Sequence, residues 1–269
     1  MTLPAPALAP SGAGTPPPAP AIIPATAVEA EPKAAVDYVA VVENHFLNRP
    51  RNLQVKVGPS GLGHPCNSNV LCSLAGVREP NRGMNWKADI GTAMHAELES
   101  AFEAWNQTHG HRWVTEWPVT VGVVGGAPIT GSLDLYDTAT NTVIDHKLVG
   151  SNTLAKYRKN GPSDIYKAQI NLYAMGLLID GGWGTPERVQ ISFLPREEEW
   201  SRRFIWNQPV DFALAAATLA RANQLATLLA SVGLDEALAR QGVCDDQWCW
   251  VCKPLHRDAK QSTRKNLFT

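Results

Sequence analysis

Three charged residues stand among apolar strand formers in the middle of the chain. The segment at 130–150 reads TGSLDLYDTATNTVIDHKLVG, and it contains Asp134, Asp145 and Lys147. Because residues two apart on a strand share a face, Asp145 and Lys147 are predicted to point the same way. If residues 138–141 form a hairpin loop, Asp134 lies directly opposite Asp145, with Cβ atoms about 4.5–5.5 Å apart.

Two carboxylates that face each other across a hairpin repel unless a proton or a cation lies between them. A hard divalent cation such as Mg2+ or Mn2+ binds carboxylate oxygens, backbone carbonyls and water. An adjacent lysine helps to activate water or stabilises the charge that develops on a phosphate. The pattern therefore favours metal-dependent hydrolysis of phosphodiesters. The alternative is a solvent-facing hairpin with one Asp–Lys ion pair, which is a common and weak surface feature.

A predicted helix ahead of the hairpin carries a histidine. Residues 94–105 have apolar side chains at helical spacing, and Thr92 is the predicted N-cap. His95 and Glu99 lie one turn apart on this helix and share a face. An imidazole ligand favours Mn2+ over Mg2+. A lone histidine on a helix is nevertheless more often structural than a metal ligand.

A second predicted helix, at residues 164–179, follows the hairpin and ends at Gly181. It carries Gln169 and Tyr173, four residues apart, in the sequence QINLY. A glutamine binds a phosphate or sugar oxygen, and a tyrosine donates a hydrogen bond or stacks on a base. Taken alone, this pair indicates no particular function.

In this order the motifs resemble the RecB-like branch of the PD-(D/E)xK nucleases. They read GTAMHAELE, GSLDLYD, VIDHKLV and QINLYAMGL, and the resemblance covers about residues 58–255. It implies a restriction-endonuclease-like α/β core, in which helices flank a central mixed sheet. It also implies roles for individual residues: metal ligation by His95, Asp134, Asp145 and the backbone carbonyl of His146, catalysis by Lys147, and contact with DNA by Gln169 and Tyr173.

The cysteines form a second cluster of residues with possible chemistry. Cys244, Cys249 and Cys252 lie within the nine residues CDDQWCWVC, a spacing that indicates a metal site. A fourth ligand then comes from Cys66 or Cys72. The odd total of five cysteines argues against a fully paired disulfide framework.

The RecB-like resemblance extends to these cysteines. Some RecB-like nucleases, including CRISPR-associated exonucleases, hold a [4Fe-4S] cluster with one cysteine before the histidine motif and three after the core. By this resemblance the fourth ligand is Cys66, in SGLGHPC, and Cys72 is a buried core thiol in VLCSLAG. The order C-x4-C-x2-C departs from the C-x2-C-x5-C of the family, so zinc stays open as the alternative.

Composition sets the domain boundaries and leaves nucleic acid possible as a partner. The 269-residue chain has a formal net charge of −1, which excludes a bulk polycation but not a local basic groove. Residues 1–35 are predicted to be a disordered Ala/Pro-rich arm, residues 36–255 the nuclease domain with its cysteine clasp, and residues 256–269 a basic tail. No apolar run or secretory signal is visible, so we expect a cytoplasmic protein without membrane contact.

The remaining sequence patterns predict further elements around these motifs. They are a short helix at 36–47, a loop at 58–64, strands at 113–121, 130–136 and 142–149, a hairpin of 188–194 with 201–206, and helices at 211–232 and 235–240. Helices and strands that alternate in this way indicate an α/β or α+β core around one sheet.

These residues predict a metal-dependent DNA exonuclease that acts at DNA ends or on single strands, in recombination, repair or replication. The basic residues Lys156, Arg158, Lys159 and Lys167 form a candidate DNA-binding strip, unless they are only a solvated loop face. One alternative is a structure-specific endonuclease that cuts flaps or junctions with the same core. Another is a non-catalytic module that binds DNA ends. Recombination or replication proteins are further candidate partners.

Overall fold

The computed structural model describes residues 37–48, 56–77, 79, 84–246 and 249–254. The predicted arm at 1–35 and the predicted basic tail at 256–269 lie outside these residues. The chain divides after Val41 into two units, and all the strands belong to the second. No helix in the described part is both long and apolar enough to cross a membrane.

One five-stranded sheet forms the centre of the fold, and its strands lie in the order β1-β2-β3-β4-β5. The strands are β1 (Trp113–Val124), β2 (Ala127–Asp137), β3 (Thr142–Val149), β4 (Arg188–Pro195) and β5 (Phe204–Pro209). Neighbours are antiparallel except for β3 and β4, which are parallel. The predicted α/β class with a central mixed sheet is confirmed.

Helices surround this sheet in sequence order. They are α1 (Tyr38–Leu47), α2 (Pro59–Leu62), α3 (Asn67–Leu74), α4 (Trp86–His109), α5 (Ser151–Asn160), α6 (Asp164–Asp180), α7 (Phe212–Val232) and α8 (Leu234–Ala239). The pair α5–α6 forms the crossover that a parallel β3–β4 pair requires. As predicted, α6 ends at Gly181, whose φ of 70° lies in the left-handed region that favours glycine at a helix end.

Helices α4 and α6 cover opposite faces of β3. The ring of His146 stacks on Phe102 of α4, with ring centroids 6.1 Å apart. The next residue, Lys147, places its Nζ 5.1 Å from the centre of the Tyr166 ring on α6. Because successive strand residues point to opposite faces, the two helices enclose β3 between them.

A glycine allows α6 to approach β2 closely. A Cβ atom added at Gly131 would lie 2.8 Å from Cε1 of Tyr173 and 3.0 Å from Cγ of Pro59. Both distances are shorter than ordinary van der Waals contact. The glycine of the GSLDLYD motif therefore determines how near the tyrosine helix lies to the strand that carries Asp134.

The structure corrects two local predictions near the amino end of the core. The loop predicted at 58–64 contains the one-turn helix α2, whose first position is Pro59, where a missing N–H costs nothing. The predicted cap Thr92 is wrong, because α4 begins at Trp86 and Asn85 accepts a hydrogen bond from the Ala88 amide. Thr92 lies inside the helix and donates its hydroxyl hydrogen to the Ala88 carbonyl.

Other elements differ from prediction in their extent. The patterns predict no helix at α3 or α5, and both are present. The strand predicted at 201–206 starts later, at Phe204, because Trp200–Arg202 forms a 3-10 turn.

Candidate metal centre and cysteine cluster

The site lies where β2 and β3 separate. Their ladder runs from the predicted pair Asp137–Thr142 to Leu135–Ile144 and then stops, one step before Asp134 would pair with Asp145. Beyond this point, the Asp134 carboxylate accepts a hydrogen bond of 2.7 Å from the His146 amide. A side chain thus replaces the backbone acceptor, which satisfies the amide and opens the end of the hairpin.

His95 reaches this opening from α4. Its Nε2 lies 3.0 Å from the His146 carbonyl oxygen, and its Nδ1 lies 3.5 Å from Oδ1 of Asp134. The hydrogen bond with Asp134 raises the pKa of His95 above its usual value. Three of the predicted metal-binding groups therefore meet at one place.

Glu116 joins this group, although the sequence analysis does not select it. Its Oε1 lies 4.0 Å from Nδ1 of His95, and its Oε2 accepts a hydrogen bond of 2.8 Å from the Ser132 hydroxyl. His95, Glu116 and Asp134 each offer a ligand atom, and these atoms lie within 4.8 Å of one another. Burial raises the pKa of Glu116, as expected for a carboxyl group that shares a pocket with other acids.

The position of Glu116 depends on an irregularity in β1. Its φ of 43° is unusual for a residue other than glycine. The register between β1 and β2 also shifts by one residue between Thr120 and Gly122. Counted back from the tight turn alone, Glu116 would face Leu135, but after the shift it faces Asp134. A lone glutamate in a predicted strand was the available signal, and the shift concealed its partner.

Asp145 and Lys147 form a buried ion pair beside this group. Nζ of Lys147 lies 2.8 Å from Oδ1 and 2.7 Å from Oδ2 of Asp145, and only Oδ1 accepts a well-oriented hydrogen bond. Oδ2 is buried and has no hydrogen-bond partner within the described part of the chain. Burial raises the pKa of Asp145 to about 6, even though Lys147 favours the ionised form.

Lys147 stays protonated in this setting. Burial alone would lower its pKa, but the carboxylates of Asp145 and Asp134 raise it well above the usual range. The ammonium group also rests over the Tyr166 ring, where a cation–π contact fixes its position. Lys147 is therefore available as a fixed positive charge and not as a base.

The donor set fits a hard divalent cation. Carboxylate oxygens, one backbone carbonyl and one imidazole converge, and the buried Oδ2 of Asp145 lacks a hydrogen-bond donor. Such buried acceptors are unfavourable unless a cation or a proton satisfies them. The predicted ligands are thus brought together, and Glu116 is added to them.

Gln169 and Tyr173 differ in their accessibility. Nε2 of Gln169 donates a hydrogen bond of 3.2 Å to the Tyr173 hydroxyl. Tyr173 is 6% exposed and packs in the main hydrophobic core, where burial raises its pKa to about 12. Gln169 is half-buried. Tyr173 therefore presents no free ring face for stacking, and Gln169 is the member of the pair that solvent reaches.

The predicted basic strip lies mainly on α5. Lys156, Arg158 and Lys159 are exposed on this helix, which begins four residues after Lys147. Lys167 lies on α6, with its Nζ 3.9 Å from Asp164. The strip is thus helical rather than the loop face considered from the sequence.

Four of the five cysteines form a separate cluster. The sulfurs of Cys66, Cys244, Cys249 and Cys252 lie within 4.8 Å of one another. Cys72 is buried on α3 and is not a member of this group. The choice of Cys66 over Cys72 therefore agrees with the geometry, and the cluster joins parts of the chain that are 186 residues apart.

Comparisons with known proteins give a likeness of fold only. No family of known sequences matches this chain, and no curated protein matches it either. Among solved structures, an alkaline exonuclease (LHK-Exo) from Laribacter hongkongensis is 16% identical, with a TM-score of 0.42 over 77% of this chain and 94% of that chain. A phage-related exonuclease from Haemophilus somnus 129PT is 16% identical, with a TM-score of 0.35 over 52% of this chain and 72% of that chain.

Proposed function

We propose that this protein is a nuclease, and more specifically a metal-dependent deoxyribonuclease. The observation that carries the proposal is the meeting of His95, Asp134 and the His146 carbonyl beside the Asp145–Lys147 pair. Acidic ligands around one cation, with a fixed lysine next to them, suit the hydrolysis of a phosphodiester.

Mg2+ or Mn2+ is the proposed cofactor of this site. The residues that would hold it are His95, Glu116, Asp134, Asp145 and the carbonyl of His146. A divalent cation supplies Lewis acidity and makes water a better nucleophile at neutral pH. The imidazole among the ligands favours Mn2+.

Lys147 and the surrounding side chains perform the remaining steps. Because its pKa is raised, the ammonium group of Lys147 stays charged and stabilises negative charge that develops on the scissile phosphate. Asp145 and the Tyr166 ring hold this ammonium group in place. The half-buried Gln169 is positioned by the Tyr173 hydroxyl to contact a phosphate or sugar oxygen.

DNA is the proposed substrate, and the cations of α5 support this choice. Lys156, Arg158 and Lys159 are exposed on a helix that follows directly from the catalytic strand. Such a local cluster attracts a phosphate backbone even though the whole chain is nearly neutral. We propose exonucleolytic action on ends or single strands, in recombination, repair or replication.

The test is a cleavage assay on end-labelled single-stranded and duplex DNA with Mn2+. We expect Asp145→Asn and Lys147→Ala to lower the rate by at least about 100-fold, as typical for the loss of one electrostatic group at a reacting phosphate. The matched control is Asp180→Asn, which changes an exposed acid at the end of α6 and should cleave like wild type.

The same assay separates the alternatives. Undiminished cleavage by both active-site variants would place the chemistry elsewhere. Mononucleotides released from an end indicate an exonuclease, whereas internal cuts in flap or junction substrates indicate a structure-specific endonuclease. Binding of DNA ends without any metal-dependent cleavage would favour the non-catalytic module.

We also propose that the four clustered cysteines hold a metal centre with a structural role. The family resemblance implies a [4Fe-4S] cluster, and zinc is the alternative that four thiolates also suit. In either case the centre would link the loop before α3 to the segment after α8.

A further inference from the structure

We infer that Cys66, Cys244, Cys249 and Cys252 bind a single tetrahedral zinc ion, in place of the [4Fe-4S] cluster implied by the family resemblance. This inference concerns the stability of the fold and holds independently of the nuclease proposal. It rests on the spacing of the sulfurs, on the local chain geometry and on the charge around the cluster.

The spacing of the sulfurs matches one ion. A zinc–sulfur bond of about 2.3 Å places the four sulfurs of a tetrahedral site about 3.8 Å apart. The Sγ atoms of Cys66 and Cys252 are 3.6 Å apart, and all four sulfurs lie within 4.8 Å of one another. A zinc ion therefore fits among them without any large movement of the chain.

The same spacing does not suit an iron–sulfur cubane. In a [4Fe-4S] cluster each thiolate binds a different iron, and the irons are separated by inorganic sulfides. The cluster itself thus stands between the ligating sulfurs and holds them much farther apart than the ligands of one ion. The four cysteines would have to spread well beyond 4.8 Å to accept it.

The chain around the last two cysteines has the compact turn of a zinc-binding segment. The Cys252 amide donates to the Cys249 carbonyl at 3.1 Å, and the Lys253 amide donates to the same oxygen at 2.8 Å. The Cys249 amide in turn donates to the Asp246 carbonyl at 3.0 Å. Two residues between Cys249 and Cys252, with the chain turned back by these bonds, is a common spacing for a structural zinc pair.

A fixed cation stabilises the segment that carries Cys66. The Arg221 guanidinium donates to the carbonyls of Leu62 and His64 at 2.6 and 2.8 Å. The Cys66 amide donates to Nδ1 of His64 at 3.1 Å, so the loop is held before the metal binds. Because four thiolates and one Zn2+ carry a net charge of −2, a nearby guanidinium offsets part of that charge.

Burial completes the description of a closed structural site. Cys66, Cys249 and Cys252 are at most 3% exposed, and only Cys244 is half-buried. Structural zinc sites use four protein ligands and leave no position for water or substrate. The cluster has this closed character, so the ion would hold the fold together and take no part in the reaction.

Metal analysis of the full-length protein tests the inference. The protein is purified anaerobically from cells supplied with both iron and zinc, and zinc, iron and acid-labile sulfide are measured per chain. We expect about one zinc per chain, negligible sulfide and no visible absorbance. Iron and labile sulfide at about four each per chain would overturn the inference, as would a folded protein without metal.

Cobalt substitution gives a second measurement that needs no variant. Co2+ in place of zinc should show the intense visible bands of a tetrahedral tetrathiolate site, and a weak octahedral spectrum would contradict the inference. Cys252→Ser should abolish those bands, and Cys72→Ser, the matched control at a buried cysteine outside the cluster, should keep them. Loss of the bands in both variants, with both chains folded, would also contradict it.

Discussion

The two metal-binding regions of this protein are built on opposite principles. The carboxylate site uses oxygen donors on strands that separate, so that its ligands face an opening at the end of a hairpin. The cysteine cluster uses sulfur donors on loops that close upon one another and exclude water. An open site leaves room for water and substrate, whereas a closed site contributes its binding energy to folding. Chemistry and stability are thus assigned to different places.

Chelation should separate the two regions most clearly. We expect EDTA to lower the cleavage rate at least about 1,000-fold, or about 4 kcal/mol of barrier, because the open site exchanges its ion readily. Added Mn2+ should restore the rate. Zinc content and the thermal unfolding midpoint, measured on the same sample, should stay unchanged. Loss of zinc in step with activity would show that the two regions are not distinct.

Removal of one cluster thiolate should affect stability and not the chemistry. Cys252→Ser is expected to lower the free energy of unfolding by about 3 kcal/mol, because a structural ion loses a ligand that the fold depends on. Cys72→Ser, the control, should cost about 1 kcal/mol. Denaturant titration measures both changes. Equal effects of the two substitutions would mean that the cluster contributes nothing beyond ordinary burial.

The closed end of the β2–β3 hairpin provides a contrast with its open end. Asp137 accepts two hydrogen bonds of 2.7 Å from Arg112, and further bonds from the Ala139 amide and the Thr140 hydroxyl. We expect Asp137→Asn to destabilise the fold by about 2 kcal/mol, since these bonds reach a buried, charged acceptor. Cleavage by the folded fraction should keep its wild-type rate, and a selective loss of rate would connect the two ends.

The same residue sets an acid dependence of stability. Burial opposes ionisation of Asp137, but the hydrogen bonds from Arg112, Thr140 and Ala139 hold its pKa below the usual value. A lowered pKa in the folded state stabilises the protein above the unfolded pKa, and this contribution is lost as the pH falls towards the folded one. Wild type should therefore lose more stability than Asp137→Asn below about pH 4, as measured by denaturant titration. Parallel curves would contradict this.

The smallest expected effect concerns Glu116. We expect Glu116→Gln to weaken Mn2+ binding about tenfold, or about 1.4 kcal/mol, because an ionic ligand becomes a neutral one of the same shape. The apparent affinity from a Mn2+ titration of cleavage measures this change, and saturating Mn2+ should restore most of the rate. Glu103→Gln, at another glutamate near β1, is the control. An unchanged Mn2+ affinity would remove Glu116 from the ligand set.

Much of the catalytic hairpin follows from local rules. The alternation of strand residues places Asp145 and Lys147 on one face, and the four-residue turn puts Asp137 opposite Thr142. The ends of α6 and α7 are marked by Gly181 and Asp211, which favour a helix end and a helix start. These features involve neighbours in the chain, so the pattern of residue types suffices to predict them.

Other features arise from contacts that no local pattern records. Helix α5 carries mostly polar residues, so its apolar periodicity is weak and it escaped prediction. Tyr173 has the residue type of a base-stacking group, yet the close approach of α6 at Gly131 buries it in the core. Its predicted contact with DNA remains a prediction, and the structure favours a role in positioning Gln169.

The sequence by itself determined which residues carry chemistry and which of them share a strand face, because side-chain type and strand period are local properties. Only the tertiary structure decided that Glu116 faces Asp134, since a one-residue shift in β1 moves it there. It likewise decided that Cys66 and not Cys72 joins three cysteines about 180 residues away. Such meetings depend on register and on loop closure, whose free energy is set by the packing of the whole domain.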